Sequence, residues 1–424
     1  VKSREKNEGH KSRPVYWLGA SLSFFVLAIL EKETAIVLPA LVFCYEWIFG
    51  SNSEKDTAED QRSRGRLFVG TLVRVFPFIG LTLLYLVVRF LALKGLGHTI
   101  TPVALKTLVL TVPSILFFYV ELLVWPIGLS AFYDTPYVTS LSFRGFVIPA
   151  LAIAIIVVGL YLWSRRSRVV AFFSLWLILP LLPVMNIAAF KEGEIAHDRY
   201  LYLSSIGFCV LVVYAIQRIN FSPARIYGQR AVPAVLLLSL AVFFGLATAY
   251  QKSIWASDLA LSTQGVAVAP NNIIAANNLG KELALRGDYA PSVSLFRRVV
   301  DRRPGYWLGN FNLGYVYYRV GNFSEAERYL RRAIAINPRD AAEQRFLGYT
   351  LAEIGQDAEA EAALRRAIAL RTDVPNQHYV LATLLKQKGD SAGALQEFRL
   401  ELSFNPNHPD ARKQIGQLEG QPKP

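Results

Sequence analysis

In the first part of this chain apolar residues neither alternate nor keep to one helical face. They form long runs near 15–30, 34–49, 67–93, 107–126, 145–163, 169–189, 200–217 and 231–250. A helix needs about 20 mostly apolar residues to cross a bilayer. Leu, Val, Ile and Phe on every side leave no face for water. Eight such runs predict a polytopic α-helical membrane domain over 1–252, with about seven or eight apolar helices. A secretory leader accounts for one run and not for eight.

After residue 252 the pattern becomes periodic. Gly280, Gly314, Gly348 and Ala382 stand 34 residues apart, as do Leu279, Leu313, Leu347 and Leu381. Gly287, Gly321, Gly355 and Gly389 keep the same interval, and so do Ala326, Ala360 and Ala394. Pro304, Pro338 and Pro406 keep register, with Thr372 in the third place and Pro375 just after it. Small residues let paired helices approach closely, and proline ends the second helix of each pair. A period of 34 with these residue types is that of the tetratricopeptide repeat. Four repeats are predicted, at 273–306, 307–340, 341–374 and 375–408. A linker or helix at 253–272 precedes them, and a capping helix and tail at 409–424 follow. The expected fold class is therefore all-α: a polytopic membrane domain followed by an α–α superhelix.

Composition agrees with two unlike halves. The chain is 53% hydrophobic and 18% charged, with a formal net charge of +13. That hydrophobicity excludes a disordered chain. Residues 1–252 hold 24 Lys+Arg against 14 Asp+Glu, and residues 253–424 hold 21 against 18. The two cysteines, Cys44 and Cys209, lie in apolar runs and form neither a disulfide framework nor a zinc pattern. The chain begins with Val1 and its single methionine is Met185, so an N-terminal part is expected upstream. No P-loop, GxGxxG or HExxH motif is present, and the five histidines are scattered.

Orientation follows from Lys and Arg in short loops. The tail 1–14, loop 50–66, loop 164–168 and loop 218–230 are all basic, and all four are expected in the cytoplasm. Strict alternation of eight spans would put 50–66 opposite 164–168. One run is therefore not a plain span: either 107–126, which could lie along the outer surface, or the short run 15–30. Loop 190–199, and everything after the last span, is expected on the external side.

Ionisable groups beside apolar runs are functional candidates. Lys32 and Glu33 separate two runs, Arg74 and Arg89 sit in 67–93, and Glu46 and Glu121 lie near run ends. The densest cluster runs from Glu192 through Glu194, His197, Asp198, Arg199 and Tyr200 to Tyr202. Carboxylates at a membrane mouth can hold a metal or take a proton, and arginine can fork onto a phosphate. In the repeats, Asn278 and Asn312 share a position, and paired amides can hold an extended peptide backbone. That ladder breaks at Phe346 and Val380. Tyr315, Tyr318, Arg319, Arg345 and Tyr349 are further groove candidates for a peptide or protein partner. The near-balanced charge of the repeats argues against nucleic acid.

Four motifs add a resemblance: Glu31-Lys32-Glu33-Thr34-Ala35, Tyr85-Leu-Val-Val-Arg89, Leu123-Val-Trp125-Pro126-Ile-Gly-Leu129-Ser130, and His197-Asp198-Arg199-Tyr200-Leu201-Tyr202. In this order, before tetratricopeptide repeats, they resemble the transmembrane-and-tetratricopeptide-repeat family of protein O-mannosyltransferases and their bacterial relatives. The resemblance implies a GT-C-type glycosyltransferase, here incomplete. Such an enzyme moves a sugar, typically mannose, from a polyprenyl-phosphate donor to a protein Ser or Thr on the periplasmic or lumenal side. It implies a bacterial inner membrane with the repeats in the periplasm, or the endoplasmic reticulum membrane in a eukaryote. It places the catalytic carboxylate in the first external loop, upstream of Val1. It makes Arg199, Lys32 and Arg89 candidates for the donor phosphate, supported by Asp198, Tyr200, Tyr202, His197 and Glu33. A divalent metal at Asp198 is a further expectation. The alternatives are a non-catalytic membrane anchor that displays a repeat scaffold for envelope assembly, and a lipid-linked oligosaccharide ligase or flippase-like protein.

Overall fold

The computed structural model describes residues 2–50, 60–93, 103–185, 195–218, 225–226 and 229–420. Parts of two of the basic loops, 51–59 and 219–224, and Glu192 and Glu194, lie outside them. The regular structure of the described residues is helical apart from one short antiparallel pair, β1 (Arg225–Ile226) with β2 (Gln229–Arg230). It forms two compact units, Val1–Ile254 and Trp255–Pro424, so the division falls two residues from the expected one.

In the first unit, six described helical stretches are long and apolar enough to cross a membrane: Leu67–Ala92, Leu105–Val124, Phe143–Ser164, Arg168–Met185, Asp198–Gln217 and Val232–Ile254. The first two apolar runs of the sequence are shorter legs. α1 (Lys2–Glu31) has an apolar part of only Tyr16–Glu31. The charged triplet Glu31-Lys32-Glu33 stops it, with Lys32 extended at φ −147°. A 3-10 turn (Glu33–Val37) then leads into α2 (Leu38–Phe49).

The remaining helices of this unit are α3 (Asp60–Leu93), α4 (Leu105–Val124), α5 (Ile148–Ser164), α6 (Arg168–Ile178), α7 (Tyr202–Gln217) and α8 (Ala231–Ile254). Contacts between them and their connecting turns sort them into two levels. At one level, Phe49 packs on Phe172, Gly50 lies beside Leu67, and Trp163 packs on Tyr214. There the Tyr214 hydroxyl also donates to Ser167 Oγ at 3.0 Å. At the other level, Glu33 pairs with Arg89, the Ser114 hydroxyl donates to the Gly145 carbonyl, and the His197 N–H donates to the Tyr119 hydroxyl. α1 runs alongside α3, with Phe25 against Phe78, and α2 returns beside it, with Phe43 and Trp47 against Phe68. Ring centroids in these pairs lie 5.5 to 5.9 Å apart.

The second unit is an array of helix pairs. α9 (Asp258–Val268) packs on α10 (Ile273–Leu285), in the region expected to be a linker or helix. The pairs are α10 with α11 (Tyr289–Arg302), α12 (Trp307–Arg319) with α13 (Phe323–Ile336), α14 (Ala341–Glu353) with α15 (Asp357–Leu370), and α16 (Gln377–Gln387) with α17 (Ser391–Phe404). α18 (Pro409–Glu419) packs on α17 as the capping helix. The glycine columns have physical causes. A Cβ on Gly314 would stand 2.8 Å from Leu330 Cγ, and one on Gly348 2.7 Å from Leu364 Cγ. At the turns within pairs, Gly287, Gly321, Gly355 and Gly389 take φ between +77° and +86°, where a Cβ is strained.

The fourth repeat differs where Thr372 replaces proline. α16 begins at Gln377 after Asn376 in the left-handed region (φ +69°). The buried Glu401 carboxylate from α17 caps that start, accepting from the N–H groups of Asn376 (2.9 Å) and Tyr379 (3.3 Å).

Candidate functional site

The His197–Tyr200 motif forms the head of α7. Asp198–Leu201 is a 3-10 turn, with Asp198 in its first turn and His197 extended before it. Arg199 is exposed and its guanidinium lies over the Tyr200 ring at 5.4 Å. The His197 ring packs edge-on against Tyr200 at 5.7 Å. Tyr202 points outward, 74% exposed.

Two tyrosines not among the sequence candidates stand beneath this turn. Tyr119 on α4 is wholly buried, and its hydroxyl accepts from the His197 N–H at 3.4 Å. Tyr133 is buried, packs on Phe118 at 5.0 Å, and accepts from the Ser130 N–H at 3.0 Å. Both lie in the field of the Asp198 carboxylate. Tyr119 and His197 are 78 residues apart in sequence, so only the fold joins them.

The Lys32–Glu33 motif is at the same level. Its 3-10 turn touches a short turn at Leu179–Leu181, which in turn touches Asp198–Leu201. Lys32 is exposed. Arg89 is committed elsewhere: it binds Glu33 at 2.6 Å and donates to the Tyr85 hydroxyl at 3.0 Å. Two motifs of the sequence, Glu31–Ala35 and Tyr85–Arg89, are thus halves of one ion pair, and Arg89 has its charge already matched. Arg74 pairs likewise with Glu46. Among the described residues no group of three His, Cys, Asp or Glu is placed to hold a metal. α4 to α7 enclose a cavity of about 410 Å³, lined almost wholly by apolar side chains such as Leu123, Ile156, Trp163, Leu181 and Leu211, together with Tyr119, whose hydroxyl bonds His197.

In the repeats, the candidates form one aromatic cluster. Its centre is Phe346, the residue at which the asparagine ladder breaks. Phe346 meets Tyr315 at 4.9 Å, Tyr349 at 5.7 Å, Tyr318 at 5.9 Å and Phe311 at 6.0 Å. Arg345 lies over Phe346 at 5.0 Å. Arg319 donates to the Tyr315 hydroxyl at 2.8 Å and lies over Tyr289. The Tyr349 hydroxyl is buried without a hydrogen-bond partner, and burial pushes its pKa up. Asn312 donates to Asn277 at 2.9 Å rather than pairing with Asn278. The ladder is therefore shifted by one residue, and Asn277 is the buried member.

A family model described as "Tetratricopeptide repeat" matches residues 307–340. The protein O-mannosyl-transferase Tmtc3 of Drosophila melanogaster is 29% identical over 128 residues, which is 30% of this chain and 13% of that protein. The human protein O-mannosyl-transferase TMTC1 is 26% identical over 233 residues, 52% of this chain and 26% of that protein. The chain thus matches about a quarter or less of these relatives' length. The human match is longer than the whole of Trp255–Pro424, so it enters the membrane unit. Among solved structures, a thermophilic tetratricopeptide-repeat protein of Thermus thermophilus is 26% identical with a TM-score of 0.33, covering 41% of this chain and 94% of that one. By its motifs, its order of parts and the proteins it matches, this chain is similar to the transmembrane-and-tetratricopeptide-repeat protein O-mannosyl-transferases.

Proposed function

We propose that this chain is the donor-side membrane part and the repeat array of a protein glycosyltransferase. It takes a sugar, mannose in the first instance, from a polyprenyl-phosphate carrier and passes it to a Ser or Thr hydroxyl. The observation that carries this reading is that the motif containing the Asp198–Leu201 turn is tied, through Tyr119, to an apolar cavity of about 410 Å³ between membrane helices. An exposed cation on a turn tied to an apolar site suits a ligand with a charged head and a hydrocarbon tail. The volume lies within the usual range of ligand pockets.

In this reading Arg199 meets the phosphate and stabilises the charge that grows on it as the glycosidic bond breaks. Lys32, exposed at the same level, is the second cation. Arg89 serves instead to hold Glu33. Tyr119 holds the turn by its backbone, and Asp198 orients Arg199 or takes a divalent ion. The basic loops support an external position for this level, at which α8 also ends at Ile254. The Phe346 cluster and the exposed Arg319 form the surface on which the repeats hold an acceptor or partner segment.

The test is transfer from labelled polyprenyl-phosphate mannose to a Ser/Thr-rich peptide by the full-length protein in membranes. Arg199→Ala is expected to lower transfer at least tenfold, since a charge-assisted phosphate contact contributes about 1.5–3 kcal/mol. Unchanged transfer would remove Arg199 from the mechanism. No transfer by the unmutated protein, with peptide still bound by the repeats, would favour the scaffold.

A further inference from the structure

The Trp125-Pro126-Ile127-Gly128 motif has no part in the donor site, and the geometry gives it a different one. α4 is 20 residues long, enough to cross a bilayer, yet its ends do not lie at the two levels. Thr111 and Ser114, in its first half, are level with Val138 and Gly145 at the head of α5: Thr111 Oγ1 accepts from the Val138 N–H at 2.9 Å, and Ser114 donates to Gly145. From Ser114 to the end of α4 at Val124 the helix descends ten residues, about 15 Å at 1.5 Å per residue. That is half of a bilayer core of about 30 Å.

The chain then turns back. Proline drives the residue before it out of the helical region, and Trp125 leaves the helix at φ −133°, ψ 74°. The Ile127 N–H donates to the Trp125 carbonyl at 2.8 Å, and Gly128 takes φ +73°. α8 records the depth. Trp125 packs on Phe243, in the middle of α8, with centroids 6.0 Å apart. Four residues later the Leu129 carbonyl accepts from Gln251 Nε2 at 3.0 Å, three residues from the end of α8.

Irregular backbone at membrane depth survives only where protein satisfies its polar groups. Here side chains do so: Gln251 for Leu129, the Tyr133 hydroxyl for Ser130 N–H, Ser130 Oγ for Phe132 N–H at 3.1 Å, and Thr111 for Val138.

We propose that α4 and the return segment 125–142 form a re-entrant hairpin, which enters and leaves the membrane on the face that carries the His197–Tyr200 turn. Seven crossing legs remain: α1, the Glu33–Phe49 leg, α3, α5, α6 with its 3-10 extension, α7 and α8. With seven crossings and this hairpin, the start of α1, Arg62, Arg64 and Arg66 at the head of α3, Arg165, Arg166 and Arg168, and Arg218, Arg225 and Arg230 all fall on one face, as the charge rule requires. If α4 crossed, the head of α3 and Arg165–Arg168 would face opposite sides. The hairpin also supplies Tyr119 and Tyr133, the two hydroxyls beneath Asp198.

Single cysteines decide the matter. In a Cys44→Ser, Cys209→Ser background, Ala104→Cys and Ser140→Cys flank the hairpin, and Ser167→Cys marks the basic face. Sealed vesicles of known orientation are treated with a membrane-impermeant maleimide. Labelling of both flanking positions from the face opposite Ser167→Cys is expected. Labelling of Ala104→Cys and Ser140→Cys from opposite faces would overturn the hairpin. Should the cysteine-free protein fail to fold, glycosylation acceptor sites placed before Leu105 and after Ser140, translated into microsomes, give the same answer. Both modified is the expected result, and only one modified overturns it.

Discussion

The two units solve the same problem, packing helix on helix, under opposite constraints. In the repeats one contact recurs: Gly314 under Leu330 and Gly348 under Leu364, at nearly the same separation. In the membrane unit each close contact occurs once. A Cβ on Gly207 would stand 2.7 Å from Leu177 N and 2.8 Å from Phe173 O, which brings α7 against the backbone of α6. Repetition makes the first kind of contact visible as a column in the sequence. The second kind leaves one glycine among many.

This contrast can be broken at several points, taken from the largest expected effect downward. Gly207→Leu puts a side chain against backbone that cannot swing aside. A loss of about 3 kcal/mol or more is expected, read as a lower thermal transition of the detergent-solubilised protein. A wild-type transition would mean that α6 and α7 are not closely packed.

The next effect belongs to the repeats alone. Glu343 is fully buried with neither carboxylate oxygen hydrogen-bonded, and burial pushes its pKa up to about 8. A raised carboxyl favours the protonated form in the folded state. Stability is therefore unaffected below about 4.5 and falls as pH rises from there to about 8. Glu343→Gln removes that slope and is expected to add about 3 kcal/mol at pH 7. Urea titration of the repeat unit at several pH values would show it, and an unchanged slope would sink the assignment.

His378 acts in the same sense. The buried imidazole bonds Glu397 at 2.7 Å, and this raises its pKa above 6.5. Its contribution is complete below 6.5 and is lost as pH rises through the folded value. In Glu343→Gln a residual fall in stability above pH 6.5 is expected, and His378→Gln should abolish it.

Smaller again, Gly314→Ala and Gly348→Ala should each cost about 1–2 kcal/mol and agree within about 0.5 kcal/mol, if the repeats are equivalent. Unequal costs in denaturant titrations would show that they are not. The exposed Arg331–Glu359 pair between neighbouring repeats should contribute about 0.5 kcal/mol or less, judged by Arg331→Ala.

The repeats are legible because 34-residue columns report packing directly, and their helix pairs begin where the columns place them. Only the fourth slips, because Asn376 and Glu401 replace the proline that sets its neighbours. Phe346 reads in the sequence as an interruption of a polar ladder, and in the fold it is the centre of an aromatic cluster. In the membrane unit, hydropathy shows which segments are buried in lipid but not which of them turn back. That depends on whether loop carbonyls and N–H groups find partners, and Gln251 and Thr111 carry no mark of that role in the sequence. The Arg199 turn is visible as a motif. Tyr119 and Tyr133 are not, because they reach it only through the path of α4.

A hairpin that enters and leaves by the same face adds no crossing. Its loss, its gain or a change in its length leaves every later helix with the same orientation and every basic loop on the same side. The stretch from Leu105 to Ser142 is in this respect a cassette, as a 34-residue repeat is in its own array. Changes of length in the hairpin outside Tyr119 and the Leu123–Ser130 motif, and in the number of repeats, should therefore be tolerated, while the seven crossing legs stay fixed in number.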